Sequence, residues 1–152
     1  MSKFDEFRKA SHRNYYNDVF LKRLEEAKQY EIQAGQLITK KFNIEIMNFN
    51  DDYKYDFITT DHIKYEVKAD KMALNTNNYF IEFEGYGKAS GLSITEAHYY
   101  ILSNTLKYYL ITVDKLKYIC NKYGIIKKVK INETFGFIIP SNKVIKHSEL
   151  LG

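Results

Sequence analysis

The stretch from Tyr55 to Ala69 does most to restrict what this chain can fold into. Tyr55-Asp56-Phe57-Ile58-Thr59-Thr60 and Ile63-Lys64-Tyr65-Glu66-Val67-Lys68-Ala69 are two runs rich in aromatic and β-branched residues, separated only by Asp61-His62. Runs of that kind around a short polar break predict an antiparallel hairpin. Side chains alternate between the faces of a strand, so Tyr65, Val67 and Ala69 share one face while Glu66 and Lys68 share the other. The apolar face needs a core to lie on. Its opposite then carries a carboxylate and an ammonium, and the hairpin brings Asp56, at the start of the first arm, to the same end as Glu66. Two like charges placed together favour capture of a hard divalent cation.

The flanking segments predict what surrounds that hairpin. Upstream, Phe20, Leu24, Ala27, Ala34 and Ile38 recur at steps of three, four and seven, the spacing of one side of a long helix. Glu31 falls on the same stripe, where burial is costly without a partner, so it either reaches out to water or points at a polar site. Ile44 and Ile46 then alternate with polar neighbours. Downstream, turn-like residues 75–78 precede a strand over residues 79–84, with Tyr79, Ile81 and Phe83 on one face and Glu82 and Glu84 on the other. A glycine-rich loop over residues 85–92 leads to Ser93-Ile94-Thr95-Glu96, a capping-box pattern that predicts the start of a short helix. Residues 107–113 read as a strand, 114–122 as a helix ended by Gly124, and 135–139 as a last strand. This order predicts an α/β fold with a mixed central β-sheet flanked by helices.

Bulk properties set outer limits. With 152 residues, 45% of them hydrophobic and 16% aromatic, the chain can bury one core, and a single domain over residues 1–152 is expected. A net charge of +4 permits a polyanionic partner. The single cysteine, Cys120, excludes an intramolecular disulfide framework and a multi-cysteine zinc site, and it suits a reducing interior. The charged first ten residues lack the apolar core of a secretory leader, and no run approaches the ~18 apolar residues of a membrane span. A cytoplasmic protein without a membrane partner is the expectation.

Three acid-x-Lys triplets occur: Glu26-Ala27-Lys28, Asp52-Tyr53-Lys54 and Glu66-Val67-Lys68. Only the third lies in a predicted strand bounded by apolar residues and partnered by a strand that opens on an Asp. On Asp56 and Glu66-Val67-Lys68 the sequence resembles the PD-(D/E)XK nuclease superfamily, and is most similar to small phage- and virus-encoded endonucleases of the Holliday-junction-resolvase kind. The resemblance covers roughly Tyr30 to Ile101, including Glu31, the hairpin, the next strand and the Gly-Lys-Ala-Ser-Gly-Leu-Ser block. Tyr55 stands where the superfamily usually has proline.

This resemblance implies a restriction-endonuclease-like core and a Mg²⁺- or Mn²⁺-dependent endonuclease that hydrolyses DNA phosphodiesters. Viral DNA replication, recombination or processing in a host cytoplasm is the implied setting. Asp56, Glu66, the Val67 carbonyl and Glu31 are the implied metal ligands, and Lys68 would position the attacking water or offset charge developing on the phosphate. Lys88, Ser90, Ser93 and Thr95 surround the predicted helix start, where free N–H groups favour a DNA phosphate, although Ser93 and Glu96 are equally explained as a plain capping box. A homodimer is the simplest way to cut two strands with symmetric sites.

Two other readings compete: a non-catalytic nucleic-acid-binding accessory protein that keeps the nuclease fold, and an unrelated binding domain with a chance motif. Widely separated hairpin carboxylates would favour the last. His98 reads as a structural histidine, Cys120 as a small buried hydrophobe, and Arg8, Lys9 and Arg13 as either a DNA-contacting arm or a solvated terminus.

Overall fold

The computed structural model describes residues 3–50, 54–129 and 133–152, with side chains from residue 21 onward. Helix α1 (Lys3–Phe42) leads into strands β1 (Ile46–Phe49), β2 (Phe57–Thr59) and β3 (Lys64–Ala69). A one-turn helix α2 (Ala73–Thr76) precedes β4 (Asn78–Gly85) and β5 (Lys88–Ala89). Next come β6 (Tyr99–Ser103), β7 (Tyr108–Thr112), α3 (Val113–Tyr123), β8 (Ile125–Val129), β9 (Thr134–Pro140), α4 (Ser141–His147) and β10 (Glu149–Leu150). The strands form a six-stranded sheet, β1-β2-β3-β6-β7-β10, and a four-stranded sheet, β5-β4-β9-β8. Of the neighbouring pairs, only β3 and β6 run parallel, so the larger sheet is mixed and the fold is α/β with flanking helices.

The hairpin forms where the alternation predicts it. Phe57 lies opposite Tyr65 and Ile58 opposite Lys64. Its turn is closed by the His62 N–H donating to the Thr59 carbonyl at 2.8 Å, with His62 in left-handed backbone at φ 64°. Tyr65 and Val67 then pack with Ala34 and Ile38 of α1 and with Phe57, Ile101, Tyr108 and Leu110 in one apolar cluster. Period two sends Tyr100 and Leu102 of β6 to the opposite face. There they join Tyr79, Ile81 and Ile139 of the small sheet, Leu116, Ile119 and Cys120 of α3, and Val144 of α4. The large sheet is thus covered on both faces, and Glu66 and Lys68 point toward the side where the small sheet lies. Burial of these apolar faces is the main favourable contribution to the fold.

Several elements differ from expectation. In the predicted stripe of α1 only Ala34 and Ile38 are buried, while Leu24 is 44% exposed and Ala27 is also exposed; the Phe20 side chain lies outside the described residues. At 40 residues the helix is roughly 60 Å long, and its periodicity continues past the sheet that could cover it. Of residues 75–78, expected as a turn, Asn75 and Thr76 instead finish α2, which ends on Asn77 at φ 56°. The short helix expected from Ser93 is absent. In its place a 3-10 turn over Gly91–Ser93 runs into extended chain and then β6. The capping groups are consumed by tertiary contacts: the Ser93 hydroxyl donates to the Phe83 carbonyl at 2.7 Å, and the Thr95 hydroxyl and Glu96 N–H both donate to the Lys54 carbonyl. Strand formation by Tyr99-Tyr100-Ile101-Leu102 beside β3 outweighs a local helix signal. Among the described residues no helix is long and apolar enough to cross a membrane.

Candidate active site

Asp56 stands just before β2, and its placement follows from the register of the hairpin. Its N–H donates to the Tyr65 carbonyl at 2.8 Å, and its carboxylate Oδ2 accepts from the Val67 N–H at 2.7 Å. β2 pairs with β3 only as far as Tyr65, so beyond it the edge of β3 is left to this side chain. In a strand the N–H and C=O of one residue point the same way, so the Val67 carbonyl lies on the edge where the Asp56 carboxylate sits.

One residue earlier, Glu66 emerges from the other face of β3. Its Oε1 lies 3.3 Å from Lys68 Nζ, two residues along on the same face. Its other oxygen, Oε2, is buried and has no hydrogen-bond partner among the described residues. A buried carboxylate oxygen with nothing to neutralise it is costly. Glu31 comes from α1 close enough to Asp56 for the two carboxyl groups to act on each other. The partner expected for it was a metal ion or Lys68; the one it has is Asp56.

The electrostatics follow from that crowding. Burial, then the Asp56 charge and hydrogen bond, then Glu66, push Glu31 up to about 7. Burial also pushes Glu66 up to about 7, against the attraction of Lys68 and with the repulsion of Asp56 added. Asp56 is raised by burial, although the Val67 N–H, Lys68 and Glu31 all pull it down. Burial works against the charge of Lys68, but Glu66 and Asp56 outweigh it and hold the ammonium above its ordinary range. Lys68 is therefore a cation at neutral pH and acts as a donor rather than a base.

These groups open onto a cleft of about 630 Å³ lined by Lys54, Asp56, Glu66, Lys68, Glu82, Lys88, Ser90 and Gly91, with Ala89 and Ile94. Of the expected phosphate contacts, Lys88 and Ser90 line this cleft, and the Ser90 Oγ is buried with no partner. Ser93 and Thr95 do not line it, because their hydroxyls hold backbone carbonyls of other segments, and the helix start they were expected to flank does not form. Glu82, which the sequence left as one of two strand acids, lines the cleft and acts on the Lys68 charge. His98 accepts the Lys64 N–H at 2.9 Å through Nδ1, a structural role. Lys54 closes the cleft from the second acid-x-Lys triplet, whose Asp52 and Tyr53 lie outside the described residues, as do the side chains of Arg8, Lys9 and Arg13. No protein-family model, curated protein or solved structure matches this chain.

The residues suit a hard divalent cation of the kind that keeps much of its own water. Among the described residues no group of three or more His, Cys, Asp or Glu side chains is placed to hold a metal ion by itself. Mg²⁺ is typically held by one or two carboxylates together with water and substrate phosphate, so an open pair formed by Asp56 and Glu66 fits it. The unpartnered Glu66 Oε2 is the observation that favours a cation there.

Gly91 allows the cleft wall to close. It has a φ of 49°, and a Cβ at this position would fall 2.3 Å from the Glu82 carbonyl oxygen. Gly91→Ala is expected to destabilise the fold by about 1–3 kcal/mol, from left-handed strain together with the clash against backbone. Chemical denaturation of the variant checks this, and a midpoint equal to the parent's would contradict it.

Proposed function

We propose that this chain is a divalent-metal-dependent DNA endonuclease. The observation that carries the reading is the pairing of Glu66, one oxygen on Lys68 at 3.3 Å and the other buried without a partner, with the Asp56 carboxylate that the Val67 N–H fixes at 2.7 Å. Asp56, Glu66 and the Val67 carbonyl would hold Mg²⁺ or Mn²⁺, with Glu31 supporting Asp56 from behind. Such an ion supplies Lewis-acid polarisation of a phosphoryl oxygen and makes water easier to ionise.

The chain's own groups account for the rest. Lys54 and Lys88 bring positive charge to the cleft rim, where backbone phosphates of a nucleic acid can exchange for counterions. Ser90 lines the same cleft, and its buried hydroxyl has no hydrogen-bond partner among the described residues. Lys68 Nζ, kept protonated and oriented by Glu66 Oε1, donates to a phosphate oxygen or to the attacking water, and so offsets charge that grows in the transition state. Glu82, which also lines the cleft, adds to the negative field that favours the charged form of Lys68. A non-catalytic nucleic-acid-binding protein would not need the unpaired Glu66 oxygen, since a buried carboxylate weakens both folding and contact with phosphate.

The test is incubation of the purified protein with labelled junction, flap, single-stranded and duplex DNA in Mg²⁺, Mn²⁺ or EDTA. Cleavage of at least one form with either metal and none in EDTA is expected. Binding without cleavage under every metal condition would leave the accessory-protein reading in its place.

A further inference from the structure

The β4–β5 hairpin that walls the cleft ends in a two-residue turn, Tyr86-Gly87, between the paired residues Gly85 and Lys88. Both turn residues have positive φ, 52° for Tyr86 and 75° for Gly87. That is the pattern of a type I′ turn, which favours Asn followed by Gly. Bulky L-residues rarely adopt such backbone. Tyr86 is held in it by its N–H, which donates to the Glu133 carbonyl at 3.3 Å. The ring gains no burial in return: it is 70% exposed, and no other ring among the described residues stacks on it.

A large aromatic ring on a turn better suited to Asn gains little burial from the fold, which leaves its face open to a partner. The position suggests what that use is. Lys88, Ala89, Ser90 and Gly91 line the cleft, and Tyr86 lies two residues beyond Lys88. Two residues span at most about 7 Å of chain, and here they fold back through the turn, so the Tyr86 ring stands at the rim of the cleft beside Lys88. A nucleotide strand with a phosphate among Asp56, Glu66 and Lys68 therefore brings a neighbouring base within reach of the hairpin tip. Bases inside a duplex have both faces covered by their neighbours, so the ring gains contact only where a base has left the stack.

We propose that Tyr86 stacks on an unpaired base next to the phosphate held in the cleft, so that the site takes DNA with unpaired or unstacked nucleotides at the cut rather than continuous duplex. This rests on the nuclease reading above and adds a substrate class to it.

The test uses the full chain in EDTA, where no cleavage interferes, with a short single-stranded oligonucleotide carrying the fluorescent base 2-aminopurine and a fully paired duplex of the same sequence. Tyr86→Asn removes the ring while suiting the turn, and Tyr86→Phe keeps the ring. The parent and Tyr86→Phe are expected to quench 2-aminopurine on binding. Tyr86→Asn is expected to lose that quenching and to bind the single strand roughly 5- to 150-fold more weakly, the equivalent of ~1–3 kcal/mol for one stacked base. Its duplex affinity should stay within about twofold of the parent, since phosphate contacts dominate there. Its melting temperature should match or exceed the parent's, as the turn is relieved of strain.

Unchanged single-strand binding by Tyr86→Asn, or an equal loss on both DNA forms, overturns the stacking role even if metal-dependent cleavage is found. A parent that binds no DNA form overturns the nuclease reading as well. The two failures are therefore distinguishable.

Discussion

Glu66→Gln and Lys68→Ala are each expected to lower metal-dependent cleavage by about a hundred- to a thousandfold while DNA binding stays close to the parent's. Glu66→Gln keeps the shape of a side chain that is only 10% exposed, but it removes the negative charge from the carboxylate oxygen that has no partner. Its effect should fall on metal affinity and on activation of water. Lys68→Ala removes the ammonium in contact with Glu66, and loss of a single group that stabilises developing charge typically costs ~2.7–4 kcal/mol of barrier. Binding survives because it is spread over many phosphate contacts, with Lys54 and Lys88 also in the cleft. Single-turnover cleavage and filter binding on the same substrate separate the two quantities. Parent-like rates in either variant would mark the motif as coincidental, and an equal fall in binding would move both residues from chemistry to attachment.

The part of this site that was legible in the sequence is the part governed by local periodicity. Alternation along Tyr65-Glu66-Val67-Lys68 separates core from cleft without knowledge of any other segment, and the short turn at Asp61-His62 brings Asp56 back beside it. Glu31 was recognisable as out of place on its helix stripe, but the identity of its partner depends on how α1 crosses the sheet, which no spacing within α1 records. Glu82 and Lys54 reach the cleft through non-local contacts, the first from a second sheet and the second from a segment tied down by Thr95 and Glu96. Those contacts also explain the missing helix at Ser93. A capping box is a statement about local hydrogen bonds, and here the same hydroxyls and N–H groups find carbonyls elsewhere. Leu24 and Ala27 of α1 show the converse, since they keep the apolar spacing of the stripe and yet are exposed.

The clustered carboxylates should also make stability fall as pH rises, and a divalent ion should restore it. Glu31 and Glu66 both move from 4.5 to about 7 on folding, so between those values the folded chain binds more protons than the unfolded one. Stability is then greatest at the acid end of that window and is lost as pH climbs through about 7, where both groups must ionise beside Asp56. Glu66, the more deeply buried of the two, carries most of the loss, and solvent around Glu31 weakens its share. Glu66→Gln removes one ionisation and should flatten the profile, and the difference between the parent's and the variant's profiles cancels the carboxylates that do not interact with Glu66, leaving its own titration and its effect on Glu31 and Asp56. Mg²⁺ acts in the opposite direction because it binds the ionised form and releases protons. At about a hundred times its Kd it adds ~2.7 kcal/mol to the parent, and it should add little to Glu66→Gln. Thermal melts across this pH window, in EDTA and in Mg²⁺, measure all four combinations. A parent profile no steeper than that of Glu66→Gln, or an equal gain from Mg²⁺ in both proteins, would show that Glu66 neither carries the buried charge nor holds the ion.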